Sequence, residues 1–127
     1  MSVWQETHTA NPDAPAVKEF LGKHGYVVRC ITNSKMQGTA ELWNVAGFQA
    51  DQGTFTVFFL PHGEDIKVTE TPASHGYYRY SFVRTIPGQR SRHYSYKANG
   101  REYYVRHGDW LFLAWDAGIA NQLRNIP

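Results

Sequence analysis

Residues 93–110, HYSYKANGREYYVRHGDW, gather tyrosine, arginine, lysine and histidine around one tight turn. Arginine presents a planar fork of donors that matches carboxylate and phosphate, and tyrosine presents a flat apolar wall with a polar tip. Brought to one face, the two residue types describe a receptor for an anion with an apolar body. The same stretch holds an acid–base arrangement. In HGDW, Asp109 stands two residues from His107 and would orient its ring, with Arg84 and Arg92 holding an anionic substrate and His107 as general base. No nucleophile accompanies them. A second cluster, HGED at 62–65, sets His62 beside Glu64 and Asp65 and reads as the polar tip of a turn after the buried strand GTFTVFFL.

Other chemistry finds little support. His62, His75, His93 and His107 are isolated, without the close spacing of helical zinc motifs or any cysteine partner, so no metal site is expected. The phosphate-binding glycine loop and the GxSxG elbow are both missing, and no cofactor is expected.

The elements that must position these residues follow from periodicity. The run NPDAPAVKEFLGKHG reads as a helix capped by Asn11 or Asp13, with proline in its first turn and Val17, Phe20, Leu21 and His24 on one stripe. Eight segments rich in β-branched and aromatic residues follow: YVVRCIT, TAELWNVAGFQA, GTFTVFFL, DIKVTET, YYRYSFVRTI, SRHYSYK, REYYVRH and WLFLAW. Between them lie NSKMQG, DQG, PHGE, PASHG, PGQ, NG and GD, which carry the residues that turns require and are too short for parallel crossovers. Asp116 then caps AGIANQLRN, a short closing helix. The expected fold is α+β: an antiparallel meander of seven to eight strands, a strongly curved sheet or a barrel, in one domain over 1–127. WLFLAW is apolar on both faces, so something must cover each side of that strand.

Register turns this outline into a candidate site. Asn99-Gly100 is the strongest hairpin signal in the chain, since a type I′ turn needs positive φ at both central residues. A hairpin there would set Tyr96 opposite Tyr103 and Arg92 opposite His107. Alternation would then place Arg92, Tyr94, Tyr96, Tyr103, Val105 and His107 on one face and His93, Ser95, Lys97, Glu102, Tyr104 and Arg106 on the other. Upstream, a three-residue loop at Pro87–Gln89 would pair Phe82 with Tyr94 and Tyr80 with Tyr96, whereas a two-residue loop would bring Ser81 and Arg79 to that face. Aromatic pairing favours the longer loop. Arg84, Arg92 and His107 then form a transverse row beside Tyr80, Tyr94, Tyr96 and Tyr103. Like charges so placed need a compensating acid such as Asp109 or Asp116, splaying into water, or a bound anion. The alternative is that the tyrosines are ordinary core and the arginines bend to solvent.

Charge bears on the partner. The overall balance is +2, but residues 77–107 hold seven bases against Glu102 alone, about +6, leaving the remainder about −4. Such a stretch would steer an anionic partner. The first functional expectation is a non-enzymatic binding or adaptor protein whose aromatic, arginine-rimmed face holds a small anionic or amphipathic ligand. A second is a protein-interaction module, as a homodimer or on an acidic partner. A third is nonspecific binding of single-stranded nucleic acid, with Tyr77, Arg79, Tyr104 and Arg106 as platform. The lone cysteine, Cys30, lies in the apolar run YVVRCI and reads as a small buried side chain. No run approaches a membrane span and the start MSVWQETHTANPD lacks the pattern of a signal peptide, so the default compartment is the cytoplasm.

Overall fold

The computed structural model describes residues 12–34 and 44–127. The order is α1 (Ala14–Lys23), β1 (Val28–Ser34), β2 (Val45–Ala50), β3 (Gly53–Phe59), β4 (Asp65–Pro72), β5 (Tyr77–Thr85), β6 (Arg92–Asn99), β7 (Tyr103–His107), β8 (Trp110–Ala114) and α2 (Ala117–Arg124). The α+β class and both helices agree with the sequence reading. Asp116 caps α2 as expected, its Oδ2 accepting the Ile119 N–H at 3.0 Å. Asp13 occupies the N-cap of α1, but its side chain makes no capping hydrogen bond to the first turn. The other proposed cap, Asn11, lies outside the described residues, as do most of the NSKMQG turn and the start of TAELWN.

The strands do not form one meander. They make a five-stranded antiparallel sheet, β1-β2-β3-β8-β7, and a three-stranded one, β4-β5-β6, and no closed barrel. The three-stranded sheet is inserted between β3 and β7, so β3 pairs with β8, distant in sequence. The physical reason lies in β3 and β8, which are apolar on both faces. On one face Phe55, Val57 and Phe112 are buried with Val17, Leu21, Ala120 and Leu123 of the two helices. On the other, Phe58, Leu111 and Leu113 are buried under Ile66, Tyr80 and Phe82 of the small sheet. A flat eight-stranded meander would leave that second face in water. Each such side chain gains roughly 1.5–3 kcal/mol on burial, against the roughly 0.2–1 kcal/mol of one cross-strand pair lost where the meander breaks.

The break falls at Asn99-Gly100. Gly100 does take positive φ, +99°, but the turn is not a hairpin, and β6 and β7 belong to different sheets. Asn99 closes the β5–β6 ladder opposite Tyr77, and the Gly100 N–H donates to the Gly76 carbonyl at 3.1 Å. The chain then crosses to the large sheet, where Tyr103 pairs with Ala114. The preceding connection behaves as expected: Phe82 pairs with Tyr94 and Tyr80 with Tyr96, with Gly88 at φ +79° in the loop.

Cys30 is buried on the face of β1 opposite Ile31 and the helix-side core, 7% exposed. In the native protein its labelling by a thiol reagent should be roughly tenfold or more slower than in unfolding denaturant, because reagent access requires local opening. Equal rates would contradict the burial.

Candidate functional site

The row of Arg84, Arg92 and His107 is only half assembled. Arg84 and Arg92 do face each other across β5 and β6. His107 sits on β7 in the other sheet, where its Nε2–H donates to the Leu123 carbonyl at 2.6 Å and its ring packs against Phe20 and Phe112. It fastens α2 to the sheet. The compensation expected for Arg84 comes from an acid, but from neither Asp109 nor Asp116. Its Nε donates to Glu64 Oε1 at 2.6 Å, with the Glu64 side chain fully buried and that of Arg84 11% exposed. Glu64 Oε2 is buried without a partner. Arg106 braces the same loop through the Glu64 carbonyl at 3.0 Å. Asp109 orients a histidine, but it is His62, Nδ1 to Oδ2 3.2 Å, and not His107. HGED and HGDW therefore converge, with Glu64 at the base of the turn and the exposed His62 at its tip.

The tyrosines form a filled core and not an open cup. Tyr80 is 1% exposed and Tyr94 and Tyr96 are half-buried beside Phe82. Tyr104, expected on the charged face, packs edge-on against Phe82 with ring centroids 5.2 Å apart. Tyr103, expected among these rings, turns the other way, onto the helix-side core, with the Arg101 guanidinium 5.7 Å from its ring. This exchange follows from the missing hairpin: once β7 joins β8, its even-numbered residues look toward the small sheet. The phenols meet at Glu102. Tyr96 donates to its Oε1, Tyr104 shares a hydrogen bond with Tyr96, and the Glu102 N–H donates to the Tyr80 oxygen at 2.6 Å. Tyr80 in turn donates to Glu70 Oε1 at 2.9 Å. Burial pushes the Tyr80 phenol up to about 12, and burial with the Glu102 carboxylate raises Tyr96 as well. Burial beside Tyr96 raises Tyr104 in the same direction. The hydrogen bonds of Arg101 hold the Glu70 carboxyl below its usual range. Neutral phenols bonded in this way brace the junction of the two sheets and are not poised for proton transfer near pH 7.

With Arg84 held by Glu64, Arg101 by Glu70 and Arg106 by backbone carbonyls, Arg79 and Lys97 stand on the outer side of the small sheet. The exposed side of β4-β5-β6 carries Lys67, Val83 and His93 in one transverse row, Thr69, Ser81 and Ser95 in the next, and Thr71, Arg79 and Lys97 in the third. Arg79 opposes Lys97 directly, and neither forms an ion pair among the described residues. The only carboxylate in this set of alternating positions is Asp65, at the far end opposite Thr85. Tyr77, 40% exposed, stands beyond the Arg79–Lys97 row opposite Asn99. Of the residues named as a possible nucleic-acid platform, Tyr77 and Arg79 thus lie here, whereas Tyr104 is turned inward and Arg106 is spent on backbone carbonyls. The sequence reading set Lys97 on one face with His93 and Ser95 but missed Lys67 as a member of it. Alternation in DIKVTET against YYRYSFVRT held the signal, but only once the two strands were known to pair with each other.

Comparison with protein-family models, with curated proteins and with solved structures gives no match. No helix among the described residues is long and apolar enough to cross a membrane.

Proposed function

We propose that the protein is a non-enzymatic binding module that takes an extended polyanion, single-stranded nucleic acid first, on the outer face of the three-stranded sheet. The observation that carries this reading is the opposition of Arg79 and Lys97 without a carboxylate partner among the described residues. Two cations directly across an antiparallel pair repel, and an anion bound between them relieves the repulsion. The small anionic ligand expected from the sequence has lost its row of bases, since Arg84 is neutralised by Glu64 and His107 is elsewhere. Four residues along β4 separate Lys67 from the Arg79–Lys97 row, about 13 Å at strand rise, which one phosphate does not span and a strand of nucleotides does. Tyr77 and His93 supply rings on the same face, and hydroxyls of Thr69, Ser81 and Ser95 lie between the charges.

Fluorescence anisotropy with a labelled 20-nucleotide single strand tests this. About three phosphate contacts give a log–log salt slope near −2, hence roughly a twentyfold loss of affinity between 50 and 200 mM salt. Arg79→Ala and Lys97→Ala should each make the slope shallower by about 0.7. Undetectable binding at low salt, or binding to which neither variant makes a difference, would overturn the reading, and preference for duplex would correct the ligand.

A further inference from the structure

The β7–β8 turn sets two rings and an acid side by side. His107 and Trp110 are partners in the register, and Gly108 and Asp109 close the turn between them, with Gly108 at φ +58°. Helix α1 lays Phe20 over the pair, its ring centroid 5.5 Å from that of His107 and 5.4 Å from that of Trp110. The planes are inclined at 53° and 66°, so the rings do not stack flat on one another. Beside them lies a cleft of about 380 Å³, lined by Phe20, His107, Gly108, Asp109, Trp110 and Pro127. Its walls are held before any ligand arrives. His107 is fixed by the Leu123 carbonyl, and the turn by the Leu60 N–H, which donates to the Asp109 carbonyl at 2.8 Å.

Asp109 contributes the one carboxylate side chain to this lining, and no lysine or arginine joins it. Its Oδ2 lies 3.2 Å from Nδ1 of His62, with the His62 side chain 97% and that of Asp109 43% exposed. A pair so open to water is weak, so an incoming cation can share the carboxylate. The Arg106 guanidinium reaches the same turn, but from the opposite face of β7, where the Gly108 and Glu64 carbonyls take its donors. An acid beside aromatic rings favours a cation. A metal ion finds too few ligands, since no group of three His, Cys, Asp or Glu side chains suited to one forms among the described residues. A primary ammonium carries three donors and tightly held water, for which the rings offer no acceptor. A methylated ammonium has no such donors, and aromatic faces attract it through their quadrupole. The volume, at the lower end of the roughly 300–1,000 Å³ of small-molecule sites, suits such a headgroup with a short tail.

We propose that the cleft at the β7–β8 turn binds a trimethylammonium group, with Phe20, His107 and Trp110 as its aromatic walls and Asp109 as its counter-charge. The site is separate from the basic face of the small sheet and stands or falls independently of it. Isotope-labelled protein is titrated with choline, with ethanolamine, and with the neutral analogue of choline in which a quaternary carbon replaces the nitrogen, and the backbone amide shifts are followed by NMR. Choline should shift Gly108, Asp109 and Trp110 and bind about tenfold or more tighter than either analogue, the scale of a cation–π contact with a counter-charge. Asp109→Asn, at a half-exposed turn position, and Trp110→Leu, which keeps apolar bulk, should each weaken choline about fivefold and leave the neutral analogue as it was. The spectrum of each variant reports its fold, and Asp109→Asn carries the test alone if Trp110→Leu does not fold. Trimethyllysine presents the same group on a longer stem, and whichever of it and choline binds tighter names the source while both support the site. Equal affinity for choline and its neutral analogue overturns the proposal and leaves an apolar cleft. Ethanolamine binding as tightly as choline overturns the methylated cation. Shifts confined to another part of the protein, no shifts at all, or a choline affinity that no folded variant changes overturn the site.

Discussion

Arg84→Ala should lower the stability of the fold by about 3–5 kcal/mol, the cost of breaking a buried ion pair from one side. The removed guanidinium neutralises Glu64, whose carboxylate has no exposure and whose Oε2 already lacks a partner among the described residues, so the charge left behind is cut off from water. This reverses what the unfolded sequence suggests, in which truncating one of two opposed arginines relieves repulsion and leaves stability unchanged or higher. The double variant Arg84→Met with Glu64→Leu should recover most of the loss, because two apolar side chains of similar volume leave nothing charged to desolvate. Urea denaturation of the three proteins measures this. A loss below about 1 kcal/mol for Arg84→Ala would mean that water reaches Glu64 in solution and that the pair contributes as a surface pair does.

The contrast shows which part of this molecule was legible. Alternation within each strand was, and so was the pairing of Tyr80 with Tyr96 through the loop at Pro87–Gln89, because both depend on residues near in sequence. Asn99-Gly100 misled because its local preference for a hairpin is genuine, yet worth less than covering Phe58, Leu111 and Leu113. The demand itself was visible in WLFLAW, apolar on both faces. What no local pattern stated was that β4-β5-β6 would supply the cover, since insertion of a whole sheet between β3 and β7 is a non-local choice. From that choice follow the other errors. Tyr104 and Tyr103 change sides, His107 leaves the arginines, and HGED, read as a solvated tip, carries its Glu64 into the interior. The exposed face of the small sheet inherits the consequence, since it gathers Lys67, Arg79 and Lys97.

Tyr80 is where the seam between the two sheets can be tested most severely. Tyr80→Ala should cost about 3–5 kcal/mol, as for other large aromatic truncations in a core, because the ring is 1% exposed and packs against Tyr96 and Tyr104. Tyr80→Phe keeps the ring and separates the polar part. It leaves the Glu102 N–H without its acceptor and Glu70 without one donor, for about 1–3 kcal/mol. The pH dependence isolates the phenol itself. In the unfolded chain a tyrosine ionises near 10, whereas Tyr80 in the fold is pushed up to about 12, chiefly by burial. A group whose folded pKa is raised contributes stability that is whole below its unfolded pKa and drains away as pH rises through its folded one. The wild type should therefore weaken from about pH 10 upward, with Tyr96 and Tyr104 adding to the fall in the same sense. Tyr80→Phe cannot ionise, so its stability should fall less steeply, by up to about 1.4 kcal/mol per pH unit. Urea denaturation at pH 8, 9.5, 10.5 and 11.5, with phenolate absorbance followed in the folded baseline, reads both quantities. Parallel decline of wild type and variant would show that Tyr80 ionises as readily folded as unfolded, and that the seam is wet.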